Sequence, residues 1–219
     1  FVPVISCWGA YVLDSSTNQV DVFIARKTML ATGGAARIYA HNTNPDIATG
    51  DGMAMARLAG GRLANMEFVQ FHPTAFWSAE GDTFLITEAL RGEGAILKLI
   101  DGTPFMQMYH HRENLAPRDV VSRAIDSELK KRGEKFCWLD ATHVPASKLR
   151  EHFPYINSQL LSRGIDFTKE PIPVAPAAHY FCGGVLSTID GLTDIKNLFA
   201  AGEVACTGLH GANRLASNS

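Results

Sequence analysis

Four short runs put histidine, arginine or glutamate beside glycine or proline, where a rigid backbone fixes polar side chains. They are Gln70-Phe71-His72-Pro73-Thr74, Thr87-Glu88-Ala89-Leu90-Arg91-Gly92-Glu93-Gly94, Ala116-Pro117-Arg118-Asp119 and His210-Gly211-Ala212-Asn213-Arg214. Cationic and hydrogen-bonding groups of this kind suit a dicarboxylate, because a guanidinium makes two parallel bonds to a carboxylate. Any single run reads equally well as an N-cap, a turn or an internal salt bridge. Two further runs, Leu30-Ala31-Thr32-Gly33-Gly34 and Phe199-Ala200-Ala201-Gly202-Glu203, carry a strand into glycine. Such turns offer backbone N–H groups to a phosphate or a flat heterocycle, and a following acidic residue can bind a ribose hydroxyl. Each alone is more simply a tight turn. No G-x-G-x-x-G, P-loop, G-x-S-x-G or H-E-x-x-H run is present. His110-His111 reads as a solvated pair and Asp140 with His143 as a turn before Pro145, so no metal site is expected.

The elements that must position these groups follow from pattern. Residues from Phe1 to Leu13 read as extended, Val20 to Ile24 is a β-branched run, and Thr28 to Thr32 is a short strand ending at Gly33-Gly34. A helix is expected from Asp51 to Leu58, with small or adaptable residues (Met53, Met55, Ala56, Ala59) for packing on a sheet and Gly60-Gly61 as its end. The Phe68 to Pro73 segment is dense in aromatic and polar groups and is expected to stop at the proline. Val120, Val121, Ala124, Ile125 and Leu129 form an apolar stripe that predicts a helix from Arg118 to Arg132, stopped by Gly133. A strand follows at Phe136 to Leu139, then one or two helices over Ser147 to Leu161 broken at Pro154. Pro171, Pro173 and Pro176 read as a linker, Leu198 to Ala201 as a strand, and residues 211 to 219 as the start of a helix. First strands without a preceding partner and a last helix cut short suggest a segment of a longer polypeptide.

Composition narrows the class. The 219 residues are 46% hydrophobic and 19% charged, which is ordinary for a globular protein with a core. A net charge of −2, with lysine and arginine scattered, gives no basic face for nucleic acid or a membrane surface. No apolar run approaches a membrane span, and the start shows no signal peptide. Cys7, Cys137, Cys182 and Cys206 form no C-x-x-C pair and fit free thiols in a reducing cytoplasm.

Taken in order, the motifs resemble a known family. Ala31-Thr32-Gly33-Gly34, Gln70 to Thr74, Thr87-Glu88 with Arg91 to Gly94, Arg118-Asp119, His179-Tyr180 with Gly183-Gly184, Ala201-Gly202-Glu203 and His210 to Arg214 are similar to the succinate dehydrogenase and fumarate reductase flavoprotein family. Essentially the whole chain is covered. The resemblance implies an α/β fold: part of a Rossmann-like FAD-binding domain (1–65 and 181–219) with an inserted α+β capping domain (66–180) that closes over substrate and excludes water. It implies FAD as cofactor, lined by Thr32, Gly33 and Gly34 and bound by Asp51 and Glu203, with Ser219 at its edge. His72, Thr87, Glu88, His179 and Arg214 would contact the substrate, with His72, His179 and Arg214 on carboxylates. Arg118 would be the proton-transferring residue, with Glu88 and Asp119 as partners that could relay a proton. A guanidinium is effectively always protonated, so Arg118 would work in an oxidation more by position and charge than as a base.

Within the family, Leu115 to Asp119, Thr87 to Arg91, His179 to Gly184 and Thr207 to Gly211 resemble the branch that oxidises L-aspartate to iminoaspartate, the first step of NAD synthesis, with oxygen or fumarate reoxidising the flavin. That branch implies quinolinate synthase downstream. Two alternatives stand beside it: a fumarate reductase or succinate dehydrogenase flavoprotein subunit, and a non-catalytic remnant that binds a partner. The family's main FAD turn lies outside this chain, so the chain by itself is expected to be inactive.

Overall fold

The computed structural model describes residues 5–81, 83–215 and 218. The chain forms two compact units, one of residues 1–38, 44–70 and 180–219, the other of 39–43 and 71–179.

In the first unit, β1 (Gly9–Asp14) and β2 (Gln19–Ile24) form an antiparallel hairpin with Gly9 opposite Ile24 and Asp14 opposite Gln19. Its turn is closed by Asp14, whose Oδ1 accepts from the Ser16 N–H at 2.8 Å and hydroxyl at 2.7 Å. The short strands β3 (Thr28–Leu30) and β10 (Leu198–Ala200) lie parallel, Thr28 opposite Leu198. Two parallel strands therefore end side by side just before Gly33-Gly34 and Gly202-Glu203. Three more strands make a small sheet: β9 (Gly184–Leu186) lies between β4 (Leu63–Ala64) and β11 (Ala205–Cys206). Helix α1 (Asp51–Leu58) buries Gly52, Met53 and Ala56, while Met55 faces outward. Its glycine at position 52 is dictated by close approach, since a Cβ there would sit 1.8 Å from the Thr32 hydroxyl oxygen.

The second unit is built on a four-stranded sheet in the order β5 (Val69–Phe76), β8 (Ile172–Phe181), β7 (Cys137–Asp140), β6 (Ile96–Lys98), with residues 69–70 and 180–181 counted in the first unit. Helix α3 (Arg118–Arg132) buries Val121, Ala124, Ile125 and Leu129, as its apolar stripe dictates, against Leu97, Leu139, Ile172 and Val174 of one continuous core. Each buried valine, leucine or isoleucine among them contributes about 1.5–3 kcal/mol. Helices α4 (Ala146–His152) and α5 (Pro154–Leu161) meet at Phe153, and Pro154 opens α5 at a position whose N–H has no helical partner anyway. A five-residue helix, α2 (Glu88–Gly92), starts at Thr87, whose hydroxyl accepts from the Ala89 N–H at 3.4 Å.

Three expectations are corrected. Pro171, Pro173 and Pro176 do not mark a linker: the last two lie inside β8, a ten-residue strand. β7 is only four residues long and pairs with β8 over Ile172 to Val174, so Pro176 lies beyond the end of that ladder. β5 runs through Pro73 instead of stopping there, with Thr74 and Phe76 bonding Ile86 and Phe84 on one edge of the strand and Trp77 bonding Pro173 of β8 on the other. Residues Gly211 to Asn213 form turns, not the first turn of a helix; Ser219 lies outside the described residues.

Candidate active site

Both units gather groups that the sequence singled out. In the second unit, Glu88 opens α2 and Arg118 opens α3, and the two meet: Arg118 Nη2 lies 2.6 Å from Glu88 Oε2. Arg91, one helical turn after Glu88, donates from Nη2 to Glu88 Oε1 at 3.0 Å and from Nη1 to the Asn114 carbonyl at 2.5 Å. One carboxylate thus holds two guanidinium groups, one on each oxygen. The side chain of Arg91 is 1% exposed and that of Arg118 11%, against 41% for Glu88. Burial lowers the Arg91 pKa, and Glu88 opposes that shift. The carboxylate of Asp119 accepts from Arg123 at 2.8 Å, one turn along α3.

His72 sits on β5 and is 2% exposed. Its Nδ1 accepts the Thr74 N–H at 3.2 Å, which leaves the proton of the neutral ring on Nε2. Burial pushes its pKa down to about 2, helped by His179, Arg118 and Arg91, so the ring is a neutral donor throughout the physiological range. The His179 ring lies edge-on to it, centroids 5.5 Å apart, and its Nδ1 is 2.8 Å from the Thr43 hydroxyl. A cluster of two imidazoles and two guanidinium groups balanced by one carboxylate is electropositive and rich in N–H donors, as a dicarboxylate requires. Thr87 belongs here through its cap of α2, which carries Glu88.

In the first unit, the Arg214 guanidinium lies over the Tyr180 ring at 4.6 Å, and Gln70 Nε2 donates to the Arg214 carbonyl at 2.5 Å and to Asn213 Oδ1 at 2.6 Å. The Tyr180 hydroxyl is 3.3 Å from His210 Nε2, and burial pushes its pKa up to about 12. Beside the ends of β3 and β10, Thr32, Gly33, Gly34, Asp51 and Glu203 come together. The Gly50 N–H donates to the Gly34 carbonyl at 3.1 Å, tying the start of α1 to the glycine turn. Glu203 Oε1 accepts the Phe181 N–H at 2.8 Å, and a Cβ on Gly34 would come within 2.2 Å of that oxygen. Burial raises the Glu203 pKa, while Phe181 and Arg214 pull it down. A cavity of about 400 Å³, lined by Met29, Ala201, Gly202, Thr207, Gly208 and His210 among others, opens at the same strand ends. The carboxyl ends of parallel strands, with glycine turns and an acidic residue, are where a dinucleotide is held in open α/β sheets, and this cradle fits one.

Sequence reasoning did not single out Thr43, and assigned no role to Arg91, Gln70 or Tyr180. Arg91 had a readable signal, its place three residues after Glu88 on one helix. Thr43 had none.

Glycine turns at parallel strand ends in one unit and a donor-rich, electropositive cluster in the other belong to an α/β fold of the FAD-binding type. The chain belongs to the FAD binding domain family, which matches residues 5–219, and its cofactor is FAD. It is 56% identical over 218 residues to L-aspartate oxidase 1 of Ralstonia nicotianae, covering 100% of this chain and 41% of that protein. It is 55% identical to the chloroplastic L-aspartate oxidase 2-a of Nicotiana tabacum, covering 98% of this chain and 35% of that protein. The fold matches FrdA of E. coli quinol fumarate reductase with a TM-score of 0.85 at 41% identity, over 92% of this chain and 37% of that one. The chain therefore spans 41% and 35% of the length of these two L-aspartate oxidases, well under half of either.

Proposed function

We propose that this chain is the part of an L-aspartate oxidase that binds and orients the substrate dicarboxylate, in an enzyme converting L-aspartate to iminoaspartate with oxygen or fumarate reoxidising the flavin. The observation that carries the reading is the Arg118–Glu88–Arg91 bridge beside the His72 and His179 rings. The names of the relatives favour aspartate over succinate as substrate. FAD supplies the hydride acceptor when bound, and Thr32, Gly33, Gly34, Asp51 and Glu203 are the residues of this chain proposed to hold it, with Ser219 assigned from the family resemblance alone.

The protein groups then divide the work. His72 donates from Nε2 to a carboxylate oxygen, and its low pKa keeps that donor neutral. His179 and Arg214 are assigned to carboxylate binding as well, and Thr87 and Glu88 to substrate contact. A guanidinium rests in its protonated form. In the oxidation Arg118 acts by holding positive charge against the substrate; in the reverse direction, fumarate reduction, it donates a proton that Glu88 is placed to restore, 2.6 Å away. The segment between residues 66 and 180 is proposed as the cap that excludes water from the reaction. We further assign the enzyme to the cytoplasm and its product to quinolinate synthase; among the described residues no helix is long and apolar enough to cross a membrane.

Arg118→Leu in the full-length flavoprotein tests the assignment. It is expected to leave the visible FAD spectrum intact and to lower turnover by about two to three orders of magnitude, as when a preorganised charge in a reacting site is removed. Turnover within a few-fold of wild type would remove Arg118 from the mechanism.

A further inference from the structure

We infer that Ser122 is a positioning residue: its hydroxyl bonds the backbone carbonyl of Phe71 and so fixes where Arg118, one turn earlier on α3, stands relative to His72, the next residue on β5. The inference rests on the substrate roles proposed for Arg118 and His72. Ser122 Oγ donates to the Phe71 carbonyl at 2.9 Å, and the residue is 7% exposed. Residues four apart lie on one face of a helix, so a bond that holds Ser122 on β5 holds the turn that carries Arg118. A serine inside a helix can turn its hydroxyl back on the carbonyl four residues earlier, here that of Arg118. Ser122 reaches out of its own helix instead. Its neighbours Val121, Ala124 and Ile125 are buried and apolar, and alanine is the stronger helix former. Packing and propensity both favour alanine at 122, and the bond to β5 is what the hydroxyl adds.

The bond closes a short chain of fixed groups. His72 Nδ1 accepts the Thr74 N–H at 3.2 Å, which ties the ring to the β5 backbone. One residue earlier, that backbone is tied to α3 through Ser122. At the start of α3, Arg118 bonds Glu88 at 2.6 Å. Arg118 is also among the charges that lower the His72 pKa, so the two groups share one electrostatic environment. Phe71 is held through its side chain as well, its ring edge-on against Tyr39 with centroids 5.2 Å apart. Tyr39 opens a segment pinned to β8, where the Ala178 N–H donates to the His41 carbonyl at 2.9 Å and the Thr43 N–H to the Ala178 carbonyl at 3.0 Å. Glu88 aims the guanidinium, while Ser122 sets the depth and rotation of the helix that carries it. Small misplacements of a group that acts on the reacting atoms cost rate before they cost binding.

The test uses the full-length flavoprotein as wild type, Ser122→Ala, Ser122→Cys and Ser122→Thr. Threonine keeps the hydroxyl, and the cavity of about 640 Å³ that Ser122 and Phe71 line has room for its methyl. Cysteine keeps the volume with a weak donor, and reads the same bond should alanine fail to fold. Stopped-flow flavin reduction by L-aspartate reads the step in which Arg118 acts. Calorimetry with succinate reads carboxylate affinity, and nitrogen-15 imidazole spectra read the surroundings of His72. Alanine is expected to slow reduction about five- to tenfold, the scale of one lost hydrogen bond, and to shift the His72 resonances. Succinate affinity is expected to stay within about twofold, because the loss falls on the reacting geometry. Cysteine is expected to slow reduction in the same direction, and threonine to restore both rate and resonances. Alanine and cysteine variants that lose only thermal stability, with reduction rate and His72 spectra unchanged, would overturn the inference, as would a threonine variant as slow as alanine. If neither L-aspartate nor succinate reduces the wild-type flavin, the substrate reading fails. The His72 spectra then still decide the role of Ser122: resonances shifted by alanine and restored by threonine support it, and unchanged ones overturn it.

Discussion

Replacing Glu88 with glutamine isolates the bridge on which the site depends. In the native arrangement each carboxylate oxygen takes one guanidinium: Arg118 at 2.6 Å and Arg91 at 3.0 Å. Glutamine keeps one acceptor oxygen and turns the other position into an amide donor, which faces a guanidinium N–H and repels it. Arg91 retains the Asn114 carbonyl, and Arg118 is expected to lose its short bond to the Glu88 carboxylate. A charge-assisted hydrogen bond is worth roughly 1.5–3 kcal/mol. Glu88 is 41% exposed, and solvent screening reduces that to about 1–2 kcal/mol. If Arg118 works by position and charge, the loss enters the barrier and slows flavin reduction by about 5–30-fold. Stopped-flow reduction of the full-length flavoprotein at saturating L-aspartate reads this step alone. A reduction rate within twofold of wild type would refute the bridge as the device that aims Arg118.

Other consequences follow from burial and close approach. The His72 pKa, pushed down from 6.5 to about 2, means that the unfolded chain takes up a proton below pH 6.5 while the folded chain does not. Stability is therefore lost as pH falls from 6.5 towards 2. Between pH 6.5 and 4.5 wild type is expected to lose about 2 kcal/mol more than His72→Asn, measured by urea unfolding at each pH; parallel curves for the two proteins would contradict the buried neutral ring. Gly34→Ala places a Cβ 2.2 Å from Glu203 Oε1, a carboxylate already held by the Phe181 N–H. Overpacking of that kind costs about 1–3 kcal/mol, and the variant is expected to purify with a lower ratio of flavin to protein absorbance than wild type; full occupancy would mean that the Glu203 cradle yields easily.

Much of this arrangement was legible in the sequence because local signals and global roles agree there. The α3 stripe from Val120 to Leu129 dictates a helix, and the same helix brings Arg118 to Glu88. The glycine turn after β3 announces backbone approached closely, and at Gly34 the neighbour is the Glu203 carboxylate of this same chain. The failures share one cause. Pro173 and Pro176 read as breakers in any window, yet β8 runs through both: Pro173 sits opposite Trp138 of β7, and Pro176 lies beyond the stretch that β7 pairs. Nothing between Tyr39 and Thr43 marks that segment as a partner of Ala178, because the pairing spans 136 residues of sequence. Long-range pairing of this kind has no local periodicity. The FAD cradle lies between the two extremes: each run was visible, but only the fold places Glu203 against Gly34.

The most direct test of the central claim is anaerobic bleaching of the visible flavin band in the full-length protein, with L-aspartate and then, separately, with succinate. Bleaching by L-aspartate with none by succinate is the predicted result. Bleaching by succinate alone would contradict it, leaving the same carboxylate-binding groups at work in a dicarboxylate dehydrogenase.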